Sequence, residues 1–188
     1  MRIVVSTDSE EYARIAKMYG AEIPFLRPTE ISQDLSTDYE CIDHCLGHLK
    51  KYDNYEPDIV LQLRPTQPER TVKHIDDCLE RFIEVRHDYD SLRTVIPIDK
   101  SPYKMYLIGD QTLIPLFEEV GGITEPYNRC RQELPQAYLH NGYIDIMNYN
   151  TIAKQKSVTG NKIYPYAMDS EDKIDIDTER DWNIALGD

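Results

Sequence analysis

The chain has 188 residues, of which 40% are hydrophobic, enough for one α/β domain with a real core. Its formal net charge is −13, from 34 acidic and 21 basic residues, and a field of this sign repels polyanions. Nucleic acid polymers and anionic membranes are therefore poor partners, whereas a nucleotide would require a metal ion and a few placed cations.

Two further features predict a cytoplasmic protein. No apolar run approaches membrane-spanning length, and the apolar start at residues 1–5 is too short for a signal-peptide core. The four cysteines show no CxxC spacing, so we expect free thiols in a reducing compartment. They are Cys41, Cys45, Cys78 and Cys130.

The first part of the chain alternates predicted strands and helices. Residues 2–5 form a short β-branched run, and polar caps with early acidic residues then predict a helix that reaches Met18, with Gly20 as its stop. Residues 21–25 predict a second short strand. Apolar residues at helical spacing predict a helix over residues 37–51.

The same alternation continues through the middle of the chain. Residues 58–63 predict a compact strand, buried on both faces. Two prolines then break the chain at residues 64–68, an amphipathic helix follows from Val72 to Ile83, and residues 93–98 predict the next strand.

The rhythm is lost from about residue 99 to 140, which predicts an inserted arm. Strands are expected again at residues 142–149 and 162–168. A last helix should begin at residues 177–181 and pack Trp182 and Ala185 or Leu186. The pattern predicts a single domain over residues 1–188, with a mostly parallel, doubly wound α/β sheet.

A pair of carboxylates is the first candidate site. Asp175 and Asp177 alternate with two isoleucines, so in an extended strand both carboxylates lie on one face. Two such oxygen ligands can hold a hydrated Mg²⁺ and leave positions for phosphate oxygens. A half-exposed strand with ordinary polar outer residues explains the same pattern.

The second candidate is the loop at residues 64–70, which combines two prolines with Arg64, Thr66, Gln67 and Arg70. It follows a strand, and open α/β sheets bind ligands beyond the carboxyl ends of their strands. A proline-rich turn without function is an equal alternative.

Scarce cations and a cysteine–histidine helix supply two weaker signals. Arg129 and Arg131 form a local cationic pair with Gln132, followed by His140-Asn141-Gly142. The arginines are suited to carboxylate or phosphate, although a solvated surface pair is the simpler interpretation. The helix carrying Cys41, His44, Cys45 and His48 has metal-like spacing. Helical geometry places Cys41, His44 and His48 opposite the apolar face, exposed and unsupported, which argues against zinc.

The ordered series of short motifs resembles the CMP-N-acylneuraminate cytidylyltransferase family over nearly the whole chain. Its segments are Val5-Ser6-Thr7-Asp8-Ser9-Glu10, Tyr19-Gly20-Ala21-Glu22, Phe25-Leu26-Arg27-Pro28, Ser36-Thr37-Asp38, Leu63-Arg64-Pro65-Thr66-Gln67-Pro68-Glu69-Arg70, Arg131-Gln132-Glu133-Leu134-Pro135-Gln136, Asn141-Gly142-Tyr143-Ile144 and Asp175-Ile176-Asp177-Thr178-Glu179.

The resemblance implies a Rossmann-like nucleotidyltransferase that uses CTP and Mg²⁺ to activate a nonulosonic (sialic-type) acid. It implies that Asp175 and Asp177 bind the metal, and that Arg27 and Ser36 contact the nucleotide. Lys104 is a catalytic candidate. The substrate-binding candidates are Arg64, Thr66, Gln67, Arg131, Gln132 and Asn141. The arm would reach a second subunit, giving a homodimer.

The sequence departs from the family pattern in its acceptor region and at its start. Arg64 and Gln67 stand where many members have Gln and Ser, Leu139 and His140 occupy a stretch that often carries an Arg, and a common Tyr is replaced in residues 143–146. The family's opening strand and Gly-rich phosphate loop do not precede Met1, so residues 3–5 and 61–63 are expected to flank a gap.

The sequence is compatible with three hypotheses of function. The first is a cytidylyltransferase, active when complete or complemented. The second is a non-catalytic remnant or complementing subunit that dimerises and binds sugar or nucleotide weakly. The third keeps the reaction and changes the acceptor to a Kdo-like or legionaminic-type acid.

Overall fold

The computed structural model describes residues 1–169, 176 and 178–186. Contacts divide the chain into two compact units. The first unit contains residues 1–62, 79–92 and 146–164, and the second contains residues 63–78, 93–145 and 165–188. The expected single domain stays a prediction.

Helices form where apolar periodicity and capping residues predict them. They are α1 (Glu10–Met18), α2 (Asp38–Asp53), α3 (Val72–Val85), α4 (Tyr149–Ala153) and α5 (Glu179–Leu186). Ser9 caps α1 by accepting a hydrogen bond from the Tyr12 amide. Thr37 and Glu40 cap α2 reciprocally, which satisfies two backbone N–H groups that the first helical turn leaves free.

Strands of two kinds are present, long ones in a central sheet and short ones in the arm. They are β1 (Ile59–Gln62), β2 (Ser91–Pro97), β3 (Tyr106–Ile108), β4 (Leu113–Pro115), β5 (Glu119–Val120), β6 (Ile123–Thr124), β7 (Tyr138–Asn148) and β8 (Ile163–Ala167). The central sheet has the order β1-β7-β2-β8. Its strands alternate along the chain with helices, which confirms the predicted α/β class.

The arm is built from two short antiparallel hairpins and three 3-10 turns. β3 pairs with β4, with Leu107 opposite Ile114, and β5 pairs with β6. These elements lie within residues 99–140, where the loss of strand–helix rhythm predicted an insertion.

The core of the first unit packs α2 against residues of β7 and α4. Leu46, Met147 and Ile152 are buried together, and Ile42 and Val60 pack against them. Burial of these side chains is the largest favourable contribution to the stability of this unit.

Three sequence predictions of packing were wrong. Residues 2–5 and 21–25 meet in a single parallel bridge between Val4 and Glu22 rather than in two full strands. β1 is half-buried rather than fully buried, because it is the terminal strand of the described sheet. Trp182 on α5 is 53% exposed rather than packed, whereas of the two alternatives beside it Ala185 is half-buried and Leu186 is exposed.

A tight turn at Gly160 depends on the absence of a side chain. Gly160 has φ +67°, and a Cβ there would lie 2.4 Å from the Cβ of Asp90. The Asp90 carboxylate accepts hydrogen bonds from the backbone amides of Asn161 and Lys162, at 2.8 and 2.9 Å. The Lys162 amide is the largest of the contacts that lower the pKa of Asp90.

We predict that Gly160→Ala lowers the free energy of unfolding by more than about 1 kcal/mol, because the left-handed backbone is strained in alanine and Asp90 must move. Urea denaturation measures the change. Gly47→Ala is the matched control: this exposed position in α2 has open space around a new Cβ, so the substitution should stabilise by up to about 1 kcal/mol. Equal effects at the two positions would contradict the prediction.

Candidate active site

The loop at residues 64–70 is fastened to β7 by buried polar side chains. Gln67 is 4% exposed, and its side-chain amide donates a 2.7 Å hydrogen bond to the backbone oxygen of Asn141. The Asn141 side-chain oxygen accepts hydrogen bonds from the Thr94 hydroxyl, at 2.7 Å, and from the Tyr143 amide, at 3.3 Å. The structure therefore brings Gln67 and Asn141 together, and both side chains hold the backbone of the loop and strand.

Arg70 and Tyr143 make a second connection between the loop and β7. The Arg70 guanidinium donates to the backbone oxygens of Tyr143, at 2.7 Å, and Arg64, at 2.9 Å. The Tyr143 hydroxyl donates to the backbone oxygen of Glu69 at 3.1 Å and lies 2.9 Å from His74 Nδ1. Burial lowers the pKa of Arg70, and the two backbone oxygens that accept from its guanidinium stabilise the charged form within the loop.

Three charged or titratable side chains meet at Asp145, which is 2% exposed. We call Asp145, Arg64, Arg93 and His140 the Asp145 cluster. Arg64 donates to Asp145 Oδ2 at 2.7 Å, His140 Nε2 lies 2.9 Å from Oδ1, and Arg93 Nε lies 3.4 Å from Oδ1. Arg64 also donates to the Gly142 backbone oxygen at 3.4 Å.

Charge pairing decides the ionisation of Asp145. Burial alone would raise the pKa of its carboxyl, but hydrogen bonds from His140 and Arg64 outweigh burial. The net pKa therefore lies below its usual range, and the carboxylate is charged at neutral pH. A buried charge of this kind is stable only while its partners remain in place.

A backbone irregularity at Gly142 gives the Asp145 cluster its geometry. His140 and Asp145 are five residues apart on β7, and in a regular strand an odd separation points two side chains to opposite faces. Gly142 has φ +66°, which interrupts the alternation between them. This conformation suits glycine, so the sequence Asn141-Gly142 allows His140 to contact Asp145.

One backbone contact joins the loop to the segment of the predicted metal site. The amide of Ile176 donates a 2.9 Å hydrogen bond to the backbone oxygen of half-buried Thr66. Asp175 and Asp177, the predicted metal ligands, lie outside the described residues. Within the described part of the chain, no three His, Cys, Asp or Glu side chains converge on a metal position.

Two cationic candidates of the arm share a cavity of about 350 Å³ in the second unit. Arg131 donates to Asp99 at 3.2 Å, and Lys104 lies 3.4 Å from the backbone oxygen of Tyr127. Gln132 is exposed in the 3-10 turn that begins at Arg131. Lys104 and Arg131 thus line the same cavity, together with Asp99.

The nucleotide candidates Arg27 and Ser36 belong to the first unit and do not contact each other. Arg27 donates to the Ser32 hydroxyl at 3.0 Å and to Cys41 Sγ at 3.1 Å. The Ser36 hydroxyl accepts from the Gln33 amide at 2.9 Å. Both therefore support the same loop, residues 29–36, from different ends.

The cysteine–histidine face of α2 is half-buried rather than exposed as predicted, because Phe25 packs against it. The His44 ring lies 4.5 Å from the Phe25 ring, and the His48 ring stacks near Phe25 and Tyr52. Burial lowers the pKa of His44. These histidines have an aromatic packing role.

Sequence reasoning missed Asp145, Arg93 and Tyr143 as site residues. An acidic residue between Ile144 and Ile146 in an apolar strand was the available signal. A carboxylate at such a position needs a cationic partner, and three of the chain's scarce cationic or titratable side chains supply it.

Comparisons with known proteins identify relatives of the chain. No protein-family model matches the sequence. The chain is 33% identical to the CMP-N,N'-diacetyllegionaminic acid synthase of Legionella pneumophila, an alignment that covers 97% of this chain and 75% of that protein. The chain belongs to the acylneuraminate cytidylyltransferase family.

The chain spans less than half the length of another family member. The chain is 29% identical to the N-acylneuraminate cytidylyltransferase of Escherichia coli. The alignment covers 98% of this chain and 41% of that protein. A solved CMP:2-keto-3-deoxy-manno-octonic acid synthetase, complexed with CTP, has the same fold. Its TM-score is 0.60 at 11% identity, over all of this chain and 82% of the other. The predicted Rossmann-like nucleotidyltransferase fold is thereby confirmed.

We predict that Asp145→Asn lowers the free energy of unfolding at pH 7 by about 3 kcal/mol, because two guanidinium groups lose their buried counter-charge. The folded pKa of Asp145 is depressed, so its stabilisation is full above the unfolded pKa of about 4 and disappears as the pH falls through the folded value. Urea denaturation at neutral and acidic pH should therefore show the difference from wild type shrinking in acid.

The control for this prediction is Asp88→Asn, which removes the same charge from an exposed side chain. It should change the unfolding free energy by no more than about 0.5 kcal/mol. A difference for Asp145→Asn that is independent of pH would contradict the assigned ionisation.

Proposed function

We propose that the chain takes part in the transfer of CMP from CTP to a nonulosonic acid. In this reaction the anomeric hydroxyl of the sugar acid attacks the α-phosphorus of CTP, a new oxygen–phosphorus bond forms, and pyrophosphate leaves. The observation that carries the proposal is the hydrogen bond between Ile176 and Thr66. It joins the loop of acceptor candidates to the residue that separates Asp175 from Asp177 in the sequence.

Each group of residues has a proposed role. Thr66, Gln67 and Asn141 shape the acceptor side, where buried hydrogen bonds fix the backbone of the loop. Lys104 and Arg131 place positive charge beside a shared cavity and would attract the acidic sugar and the phosphates. Arg27 and Ser36 are the proposed nucleotide contacts.

Mg²⁺ is the proposed cofactor, held by Asp175 and Asp177. Paired carboxylate oxygens are the ligands that this hard cation prefers. When bound, the metal would offset phosphate charge and help to orient the attacking oxygen. The Ile176 amide donates to the Thr66 backbone oxygen and so connects Ile176 to the loop.

The family supports a range of acceptors. The relatives are named for N-acylneuraminate and for N,N'-diacetyllegionaminic acid, so sialic and legionaminic acids come first in a substrate panel. A Kdo-type acid belongs to the same panel. We also propose a cytoplasmic location. None of the helices in the described part of the chain has the length and apolar character of a membrane span.

We expect mass spectrometry to detect a CMP-sugar when the purified chain is incubated with CTP, Mg²⁺ and this panel. An Asp175→Asn, Asp177→Asn double variant should lose at least about 100-fold in rate, because transition-state charge on the phosphates is then uncompensated. Asp88→Asn, Asp110→Asn changes charge equally at two exposed positions and should keep the rate. No product from a folded wild-type chain would favour the non-catalytic, complementing subunit.

We propose that the arm forms a homodimer interface. The β3–β4 hairpin exposes apolar side chains to an unusual degree, with Ile108 86% and Leu113 64% exposed. Contiguous apolar surface of this kind indicates a protein interface.

We predict that Ile108→Asp with Leu113→Asp shifts the chain from dimer to monomer in sedimentation velocity, since two charges would be buried without partners. Val72→Asp is the control, because Val72 is 72% exposed outside the arm. A wild-type chain that is monomeric at micromolar concentration would contradict the proposal.

A further inference from the structure

Arg93 lies on β2 with an incompletely used guanidinium group. Its side chain is 25% exposed, and Nε is buried without a hydrogen-bond partner among the described residues. Its ionic contact is with Asp145 Oδ1, at 3.4 Å. That oxygen already lies at hydrogen-bond distance from His140 Nε2, so Arg93 is attracted to Asp145 without saturating its own donors.

The remaining members of the Asp145 cluster use the carboxylate more fully. Arg64 takes Oδ2 at 2.7 Å, and His140 takes Oδ1 at 2.9 Å. Arg93 is therefore the member of the cluster whose guanidinium N–H group at Nε lacks a hydrogen-bond acceptor among the described residues. A guanidinium group presents a rigid planar fork that matches an oxyanion, and its cost of burial falls when an anion completes the pairing.

We propose that Arg93 is a substrate-binding residue that binds the carboxylate of the acceptor sugar acid, with Asp145 as its positioning residue. The inference rests on the proposed function, because it takes the acceptor to be a sugar acid. It assigns a binding role to a strand residue outside both the arm and the loop at residues 64–70.

The surroundings of Arg93 favour an acceptor contact. Asp145, which Arg93 approaches at Oδ1, accepts a 2.7 Å hydrogen bond at Oδ2 from Arg64, a substrate-binding candidate of the loop. Arg93 thus belongs to the same fastened group of strands and loop as the acceptor candidates. The Asp145 cluster also sets two guanidinium groups against one carboxylate, so it retains positive charge with which a further carboxylate can pair.

A guanidinium could equally bind a phosphate of CTP, so the experiment separates the two oxyanions. Isothermal titration calorimetry, without added divalent metal, would measure the affinity of N-acetylneuraminic acid in the presence of CTP, and of CTP alone. The methyl ester of the acid is the third ligand, because it keeps the sugar and removes the charge of the carboxylate.

We expect Arg93→Gln to weaken binding of the acid by about 10- to 100-fold, the range for losing a charged hydrogen bond. Binding of the ester and of CTP should be unchanged. Arg93→Lys, which keeps the charge without the planar fork, should bind the acid with intermediate affinity. Arg81→Gln removes the same charge from an exposed arginine of α3 and should bind all three ligands as wild type does.

Every other outcome overturns the inference in a recognisable way. Unchanged acid binding by Arg93→Gln removes Arg93 from the site and leaves the proposed function standing. Loss of CTP binding in place of acid binding assigns the residue to a phosphate. Failure of the wild-type chain to bind any ligand of the panel, acid or CTP, removes the proposed function and the inference together. Circular dichroism and thermal melts check that each variant is folded.

Discussion

The buried carboxylate of Asp145 sets the main constraint on the second unit. An ionised carboxylate that is 2% exposed cannot persist without partners, and its partners come from the loop, from β2 and from the other side of the Gly142 bend. The carboxylate charge of Asp145 therefore determines the positions of the Arg64, Arg93 and His140 side chains. The buried Gln67–Asn141–Thr94 hydrogen bonds then fasten the same loop and strands through neutral groups. Together these contacts form a frame around the loop whose Thr66 accepts the hydrogen bond from Ile176.

Such a frame suits the acceptor side of the proposed transfer reaction. The attacking hydroxyl must be held close to the α-phosphorus, and misplacement by about 1 Å can cost about 100-fold in rate. Loops move easily unless their polar groups are satisfied by the body of the protein. In this chain the loop at residues 64–70 uses Gln67 and Arg70 for that purpose, which leaves the proposed substrate contacts to the remaining surface of Thr66 and to the cationic side chains.

The sequence predicted the helices and the fold class well, because their signals are local. Ser9 and Thr37 cap helices at the expected positions, and Leu46 and Leu49 are buried at helical spacing. The site residues were harder to find. The partners that stabilise the Asp145 carboxylate lie as far as 81 positions away in the sequence, and a local sequence pattern does not show such contacts. The contact between His140 and Asp145 departs from the alternation of side chains in a regular strand. It follows from the positive φ of Gly142, which the spacing of apolar residues does not show. The exposure of Trp182 was missed for a similar reason, since apolar spacing shows which residues can pack and not what covers them.

Hydrogen–deuterium exchange of the chain with and without CTP, Mg²⁺ and a sialic or legionaminic acid is the most direct measurement of whether the frame around Asp145 is the acceptor side of a cytidylyltransferase. Binding there should slow exchange of backbone amides in residues 64–71, 93–95 and 140–146, because ligand contacts suppress local opening. Residues 150–160 of the first unit should change little. Protection that requires the sugar acid and is confined to those three segments is the predicted result. Unchanged exchange in all three segments at saturating ligand would contradict the account.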